Sequence, residues 1–507
     1  MADHTTAQTG KLITGRLLAR NVVFNLVGQS APMLVAVFAI PILIKGLGLD
    51  RFGVLTLAWM VVGYFGLFDL GLGRALTKLV AERLGNRREQ DVPALIWTAL
   101  FLMLLLGLAG TLVVSLISPW LVYHALKIPE ALQTETLSAF YLLAFSIPVV
   151  ISTAGLRGVL EAHQRFGMVN AIRVPMGMFS FLGPLIVLPF SHSLFPVTMV
   201  LVAGRIVGWL AHGLLCLRVI PSLRHGVVLH RGTAKPLISF GSWMTVTNVV
   251  GPLMVYLDRF VIGALISVVA VAYYATPYEL VTKLWIIPAA LTGVLFPAFA
   301  GSFVEDANRT ARLFERGVKY TFLIMFPLIL IIVTLAHEGL NLWLGAQFVE
   351  NSTRVLQWLA IGLFINSLAQ IPFGLIQGAG RPDLTAKLHL VELPFYVLLL
   401  WWLLVAYGIT GAAVAWATRA AVDTVVLFAI TRRLLPGTAV SIQRSAGIVI
   451  VALLVFTLGG FVIGQTMCGW FLFLALGVFV VVAWFLILAP EERRMICRSL
   501  KTVPMFN

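Results

Sequence analysis

Residues 83–120 read RLGNRREQDVPALIWTALFLMLLLGLAGTLVVSLISPW, a basic cluster running straight into an apolar stretch with no Lys, Arg, Asp or Glu from Val92 to Leu126. About 20 apolar residues cross the ~30 Å hydrocarbon core of a bilayer as a helix, and a run this long has no soluble counterpart. The same alternation recurs along the chain. Apolar runs begin near residues 22, 52, 94, 136, 168, 195, 237, 268, 319, 353, 384, 409, 443 and 467, and basic residues crowd into every second gap between them. The pattern predicts an all-α polytopic membrane protein with about 14 transmembrane helices.

Composition agrees, with 60% hydrophobic residues, 11% charged residues and a mean hydropathy of +0.98 over 507 residues. Lys and Arg number 36. If the N-terminus is cytoplasmic, 28 of them face the cytoplasm and only Lys45, Arg51, Lys127 and Arg354 face the other side. This bias sets orientation and predicts both termini in the cytoplasm. It also accounts for the net charge of +15, which in a soluble chain would suggest nucleic acid, so a nucleic-acid partner is not expected. The polar start, Met1 to Arg20, shows no cleavable signal pattern, and the first span is expected to serve as a signal anchor. Cys216, Cys468 and Cys497 are widely spaced, which supports neither a disulfide framework nor a structural metal site, and no cofactor is expected. The connections are short on both sides, so any chemistry is expected within the membrane.

The sequence also repeats. Asn25-Leu-Val-Gly28 recurs as Asn248-Val-Val-Gly251, and Gly158-Val-Leu-Glu-Ala-His-Gln-Arg165 recurs as Gly374-Leu-Ile-Gln-Gly-Ala-Gly-Arg381, at offsets of 223 and 216 residues. Both offsets equal six spans. Because six is even, the halves keep one orientation, as in transporters built from parallel repeats. The expected organisation is an N-terminal six-helix lobe over 1–220, a cytoplasmic linker over 221–236, a second six-helix lobe over 237–435, and two further helices with a tail over 436–507.

Several short motifs resemble a known family. Phe68-Asp69-Leu-Gly-Leu-Gly73-Arg74-Ala75, running into Lys78 and Glu82-Arg83, is similar to the second-helix signature of the Wzx-like polysaccharide-biosynthesis flippases of the MOP exporter superfamily. So are Leu47 to Gly53, Asp258-Arg259-Phe-Val-Ile-Gly263, Tyr273-Tyr274, and Gly374 to Pro382. The resemblance covers essentially the whole chain. It implies a transporter, not an enzyme, that moves a polyprenyl-pyrophosphate-linked oligosaccharide from the cytoplasmic to the outer leaflet by alternating access. Such transport feeds O-antigen, capsule or exopolysaccharide assembly, with a polysaccharide polymerase and a chain-length regulator as further partners.

A pyrophosphate cannot cross hydrocarbon unaided, so the resemblance implies cations at membrane depth, where ionisable groups are costly and usually face a cavity. Arg205, Arg259, Lys283 and Arg419 lie inside spans and are the candidate substrate-binding cations. Asp258, Glu279, Glu392 and Asp423 are their candidate coupling or charge partners. Asp258 and Arg259 read either as a phosphate-binding pair or as a neutralised pair that supports helix packing. Glu279 and Lys283 share a helix face at i, i+4, with Thr276 beside them, and read either as a cavity lining or as a self-satisfied pair. Arg205 shares a face with His212, two turns on, and has no carboxylate within a turn. Arg419 and Asp423 stand at i, i+4, while Glu392, with His389 at i−3, is the more plausible proton site. Asp69 and Arg74 are assigned to gating, Asp69 capping the break at Gly71-Leu-Gly73.

Two other functions fit parts of the pattern. A MATE-like drug or cation exporter would place acidic residues in its cavity, and the basic set here points instead to an anionic ligand. A polyprenyl-phosphate-dependent membrane glycosyltransferase needs a sizeable outer loop, and the longest one here offers only Glu130 and Glu135.

Overall fold

The computed structural model describes residues 15–67, 72–85, 88–226, 228, 253–303, 306–464 and 467–494. Every long element among them is a helix. Hydrocarbon offers no partner to a backbone amide, so a spanning segment must satisfy its own N–H and C=O groups. In chain order the helices are α1 (Gly15–Leu47), α2 (Leu49–Leu67), α3 (Leu72–Gly85), α4 (Val92–Trp120), α5 (Glu130–Ala162), α6 (Phe166–Val187), α7 (Leu194–Val219), α8 (253–265), α9 (Val268–Thr282), α10 (Ile286–Ser302), α11 (Ala307–Thr334), α12 (Ala336–Leu344), α13 (Ala346–Gly378), α14 (Pro382–Leu434), α15 (Ala439–Thr457) and α16 (Cys468–Val482).

Ten described helices are long and apolar enough to cross a membrane. α9 and α10 together form one of these ten, Val268–Phe296, and α8 is described from residue 253. α14 bends at Gly408, whose φ of +61° interrupts the helix in the left-handed region that glycine enters without steric cost; its two legs are two spans. Each predicted run falls on a described helix except the one beginning near residue 237, whose start lies outside the described residues.

The described residues gather into two compact units, Met1–Ala275 and Thr276–Asn507. The linker expected over 221–236 lies mostly outside the described residues. In the first unit, Leu76, Ile96, Met103, Ile151, Val159 and Cys216 form a core shared by α3, α4, α5 and α7. One end of this unit is tied by Glu135, which accepts from Arg51 at 3.2 Å and from the backbone N–H of Leu194, joining α2, α5 and α7. In the second unit α13 is the central element, with 83% of its spanning window buried, against 17% for α15 and 6% for α16. The last two helices are therefore peripheral and present most of their surface to lipid.

The internal repeat of the sequence is also a repeat of backbone structure. α5 ends with His163 N–H donating to Val159 O, Gln164 N–H to Glu161 O and Arg165 N–H to Leu160 O. α13 ends with Ala379 N–H donating to Leu375 O, Gly380 N–H to Gln377 O and Arg381 N–H to Ile376 O. Each residue of the second set lies 216 positions after its counterpart. Both turns use a left-handed residue, Gln164 at φ +57° and Gly380 at φ +74°. The packing recurs too: a Cβ on Gly158 would come within 2.4 Å of Thr77 Oγ1 on α3, and one on Gly374 within 2.7 Å of Thr292 Cγ2 on α10. The same small residue thus lets a long helix approach a shorter one, α3 or α10, in each unit.

The repeat exposes a strained position. Gln164 holds a conformation that costs an L-residue about 1–2 kcal/mol, and its repeat partner is glycine. Gln164→Gly is expected to stabilise the purified protein by about 1 kcal/mol, with some of the gain offset by glycine's larger unfolded-state entropy. Gly380→Ala is expected to destabilise it by about 1 kcal/mol. Thermal unfolding of both variants in one detergent checks the pair, and equal melting of wild type and Gly380→Ala would argue that the turn carries no strain.

Candidate functional site

Two clusters of intramembrane charge emerge, one in each unit. The first is a cavity of about 320 Å³ between α5, α6 and α7. Its lining includes Arg157 from α5, Arg173 from α6, and Arg205 and His212 from α7, and contains no carboxylate. Thr153 and Ser180 also line it, but their hydroxyls donate back to Val149 O at 2.6 Å and Met176 O at 3.0 Å. The ring of His212, 5% exposed, uses Nδ1 on Gly208 O at 2.7 Å. Its Nε2 and the Nε of Arg205 are buried without a hydrogen-bond partner among the described residues. Arg157 is exposed and lies 3.6 Å from Glu161, a contact too loose to consume its donors.

These arginines occupy different depths. Arg157 lies five residues before the end of α5, about 8 Å along its axis, whereas Arg205 lies fourteen before the end of α7, about 21 Å in. The cavity therefore carries guanidinium groups from near one surface to mid-membrane. A planar guanidinium can bind a phosphate through two parallel N–H···O bonds. Arg157 and Arg173 belong to this site although the sequence reading placed them with the orientation-setting loop residues; only the packing of three helices reveals them.

The second cluster belongs to α14. Glu392 and Asp423 are each 6% exposed, and both oxygens of Glu392 and Oδ1 of Asp423 are buried without a hydrogen-bond partner outside this group among the described residues. His389 Nε2 stands 3.9 Å from Asp423 Oδ1, and its ring stacks on Phe373 with centroids 6.1 Å apart. One ligating atom from each of His389, Glu392 and Asp423 lies within 4.8 Å of the other two. Arg419 places its guanidinium 5.4 Å from the ring centroid of Tyr396. The bend at Gly408 folds the two legs of α14 so that Glu392 and His389, from one leg, meet Asp423 from the other. Two buried carboxyl groups beside one guanidinium can hold a proton or a cation between them, so the cluster is suited to either.

The other predicted residues are also placed. Asp258 is fully buried; its Oδ1 accepts from the backbone N–H of Arg259 at 2.8 Å and its Oδ2 from Tyr274 Oη at 2.5 Å. Arg259, 2% exposed, sits with its guanidinium 5.5 Å from the Tyr256 ring centroid. This pair is thus packed into the first unit among tyrosines that the sequence reading did not single out as its partners. Glu279 and Lys283 do form an ion pair at 3.2 Å, each a little over a third exposed, with Thr276 buried alongside. Lys283 opens a 3-10 turn, Lys283–Trp285, braced by Trp285 Nε1 donating to Asn366 Oδ1 at 3.0 Å and by the rings of Trp285 and Trp416, 6.3 Å apart. Arg74 is exposed in the first turn of α3. Asp69 lies outside the described residues.

This fold, with charge buried in its spans, defines a polytopic membrane transporter. The structure matches the lipid II flippase MurJ in an inward closed conformation with a TM-score of 0.68 at 12% identity, over 95% of this chain and 100% of the other. It also matches the inward-facing conformation of a multidrug resistance MATE family transporter of the MOP superfamily with a TM-score of 0.68 at 16% identity, over 82% and 98%. At the level of sequence, residues 18–303 match the family model described as polysaccharide biosynthesis protein. The chain is 34% identical over 411 residues, 81% of this chain and 96% of the relative, to a Shigella flexneri protein named "Putative O-antigen transporter". The chain belongs to the polysaccharide biosynthesis protein family, as its motifs implied.

The charge balance of the α14 cluster predicts unequal costs. Glu392→Gln keeps the size of the side chain and leaves Arg419 facing Asp423, and is expected to change stability by less than about 1 kcal/mol. Arg419→Met leaves both carboxylates uncompensated and is expected to cost about 3 kcal/mol. Thermal melts of the two purified variants decide the matter, and an Arg419→Met protein as stable as wild type would show that the carboxylates do not depend on this guanidinium.

Proposed function

We propose that this protein flips a polyprenyl-pyrophosphate-linked oligosaccharide from the cytoplasmic to the outer leaflet of a bacterial inner membrane by alternating access, for O-antigen, capsule or exopolysaccharide assembly. The observation that carries the reading is the cavity of Arg157, Arg173 and Arg205, which reaches mid-membrane and is lined by no carboxylate. Oriented cations at that depth replace the water that a pyrophosphate would otherwise lose, and a neutral or cationic cargo has no use for them. The family relationship and the O-antigen transporter relative support the same cargo class.

Transport of this kind breaks no covalent bond in the cargo, so the chain acts as a carrier rather than a catalyst. Arg259 and Lys283 are further contacts for the cargo, and Arg419 holds the charge balance of its cluster. The His389, Glu392 and Asp423 group is the place for the coupling cation, with Asp258 and Glu279 as charge partners and Asp69 and Arg74 at the gate. A polysaccharide polymerase and a chain-length regulator receive the flipped product. A MATE-like cation exporter is the second reading. It is favoured by the shared fold and the buried α14 carboxylates and opposed by the all-basic lining between α5, α6 and α7.

Proteoliposomes carrying a labelled pyrophosphate-linked glycan test the proposal directly. Arg205→Ala is expected to lower flipping by about tenfold or more at normal protein levels, as befits loss of a charge-assisted contact of about 1.5–3 kcal/mol, and Arg205→Lys is expected to recover part of it. Wild-type flipping by Arg205→Ala, Arg157→Ala and Arg173→Ala alike would remove this cavity from the transport path.

Orientation is tested separately. Cysteine at Asn308, exposed just inside α11, is expected to react with an impermeant thiol reagent only from the cytoplasm, and cysteine at Ala131, exposed at the start of α5, only from outside. Labelling of the Asn308 position from outside would invert or break the fourteen-span arrangement.

A further inference from the structure

α15 and α16 lie outside the six-plus-six repeat and each packs against α11 rather than along the other. Between them the structure leaves a slot of about 650 Å³, lined by Phe322 and Phe326 of α11, Val451 and Val455 of α15, and Leu474 and Val478 of α16. The slot opens at one end only onto polar groups. Phe322, Arg444, Ile448 and Ile487 are shared with a small adjoining cavity that also touches Glu315, Lys319, Ser441 and Ser445. From Arg444 to Val455 the slot runs eleven residues of α15, about 17 Å at 1.5 Å per residue. That is about half of a ~30 Å hydrocarbon core, the depth of one leaflet.

The charges at the mouth are unequally spent. Lys319 donates to both oxygens of Glu492 at 2.7 Å, and Tyr320 Oη donates to the same carboxylate at 2.5 Å. Burial works against ionised Glu492, but these bonds and one from the Ala489 N–H hold its carboxyl down to about 2, so Lys319 is spent on its carboxylate partner. Glu315 is exposed to solvent. Arg444 has five N–H donors and uses one of them, at 3.4 Å, on Leu486 O. No carboxylate pairs with it among the described residues.

We propose that this slot is a binding site for a phospholipid with an anionic headgroup, one acyl chain lying between α15 and α16 and the phosphate accepting from the Arg444 guanidinium. An open gap between two lipid-facing helices must be filled, because a void forfeits dispersion contacts on every wall. An acyl chain one leaflet long matches its depth and apolar lining, whereas a polyprenyl chain is several times longer than the slot. The unspent guanidinium at the mouth selects for negative charge. Clusters of basic residues at the cytoplasmic ends of spans attract anionic lipid in the same way, and the orientation expected from the sequence puts Arg444 on that side. The site stands independently of the transport reading, since its occupancy is read by lipid retention and not by flipping.

Native mass spectrometry of the full-length protein, purified from membranes and exposed to equal amounts of phosphatidylglycerol and phosphatidylcholine, tests the proposal. Wild type is expected to retain phosphatidylglycerol preferentially. Arg444→Gln is expected to lower that retention roughly tenfold, the loss of one charge-assisted contact, with phosphatidylcholine unchanged. Gly447→Trp fills the slot from a position where an added Cβ meets nothing within 4 Å, so it is expected to fold normally, as unaltered thermal unfolding would confirm, and to lower retention of both lipids. Undiminished phosphatidylglycerol on either variant overturns the assignment. So does displacement of phosphatidylglycerol from wild type, but not from Arg444→Gln, by a polyprenyl phosphate, which would make the slot a seat for the cargo's own tail.

Discussion

Hydrocarbon solvates neither a backbone amide nor a guanidinium, and the arrangement of this chain follows from that double cost. The first half of the cost makes every long described element a helix and dictates spans of about 20 apolar residues. The second half confines charge to the ends of spans unless something compensates it, so Arg205, Arg259, Lys283 and Arg419 mark places where the fold supplies partners or a cavity. Their compensation differs. Lys283 has Glu279 one turn away, Arg259 is packed against Tyr256, and Arg419 lies over Tyr396 beside two carboxylates. Arg205 has a cavity instead, and a charge that opens onto space rather than onto a counter-ion is well placed to meet a transient anionic visitor.

The duplicated turn shows how the compensation is built twice over. In each unit a long helix closes with the same pattern of backbone hydrogen bonds, and a glycine one turn or more before that close lets it touch a shorter helix, α3 or α10. The halves have diverged in charge while keeping this scaffold. The first carries the carboxylate-free arginine cavity, the second the carboxylate cluster of α14. A duplicated fold offers two similar frames in which charge of opposite sign can be placed.

The two helices beyond the repeat contribute differently. α15 and α16 bury little of their surface, and their only extensive support is α11. Glu492, clasped by Lys319 and Tyr320, fixes the end of the last span to that same helix. The gap this leaves is lined with side chains suited to a lipid tail, which makes the surrounding bilayer part of the packing.

Read without coordinates, the chain determined its class and its family, because the length of an apolar run is set by bilayer thickness and a short motif is written in consecutive residues. It also determined the Glu279 and Lys283 pair, since i, i+4 spacing on one helix needs no tertiary knowledge. The repeat was legible from Gly158 to Arg165 and from Gly374 to Arg381 for the same reason. What only the tertiary structure decided is which charges meet. Arg157 and Arg173 join Arg205 across three helices, His389 and Glu392 join Asp423 across the Gly408 bend, and Asp258 finds Tyr274 sixteen residues away on the next helix. Spacing along one helix is fixed by 3.6 residues per turn, but the partner across a helix interface depends on how whole faces pack, and that information is not written at any one position.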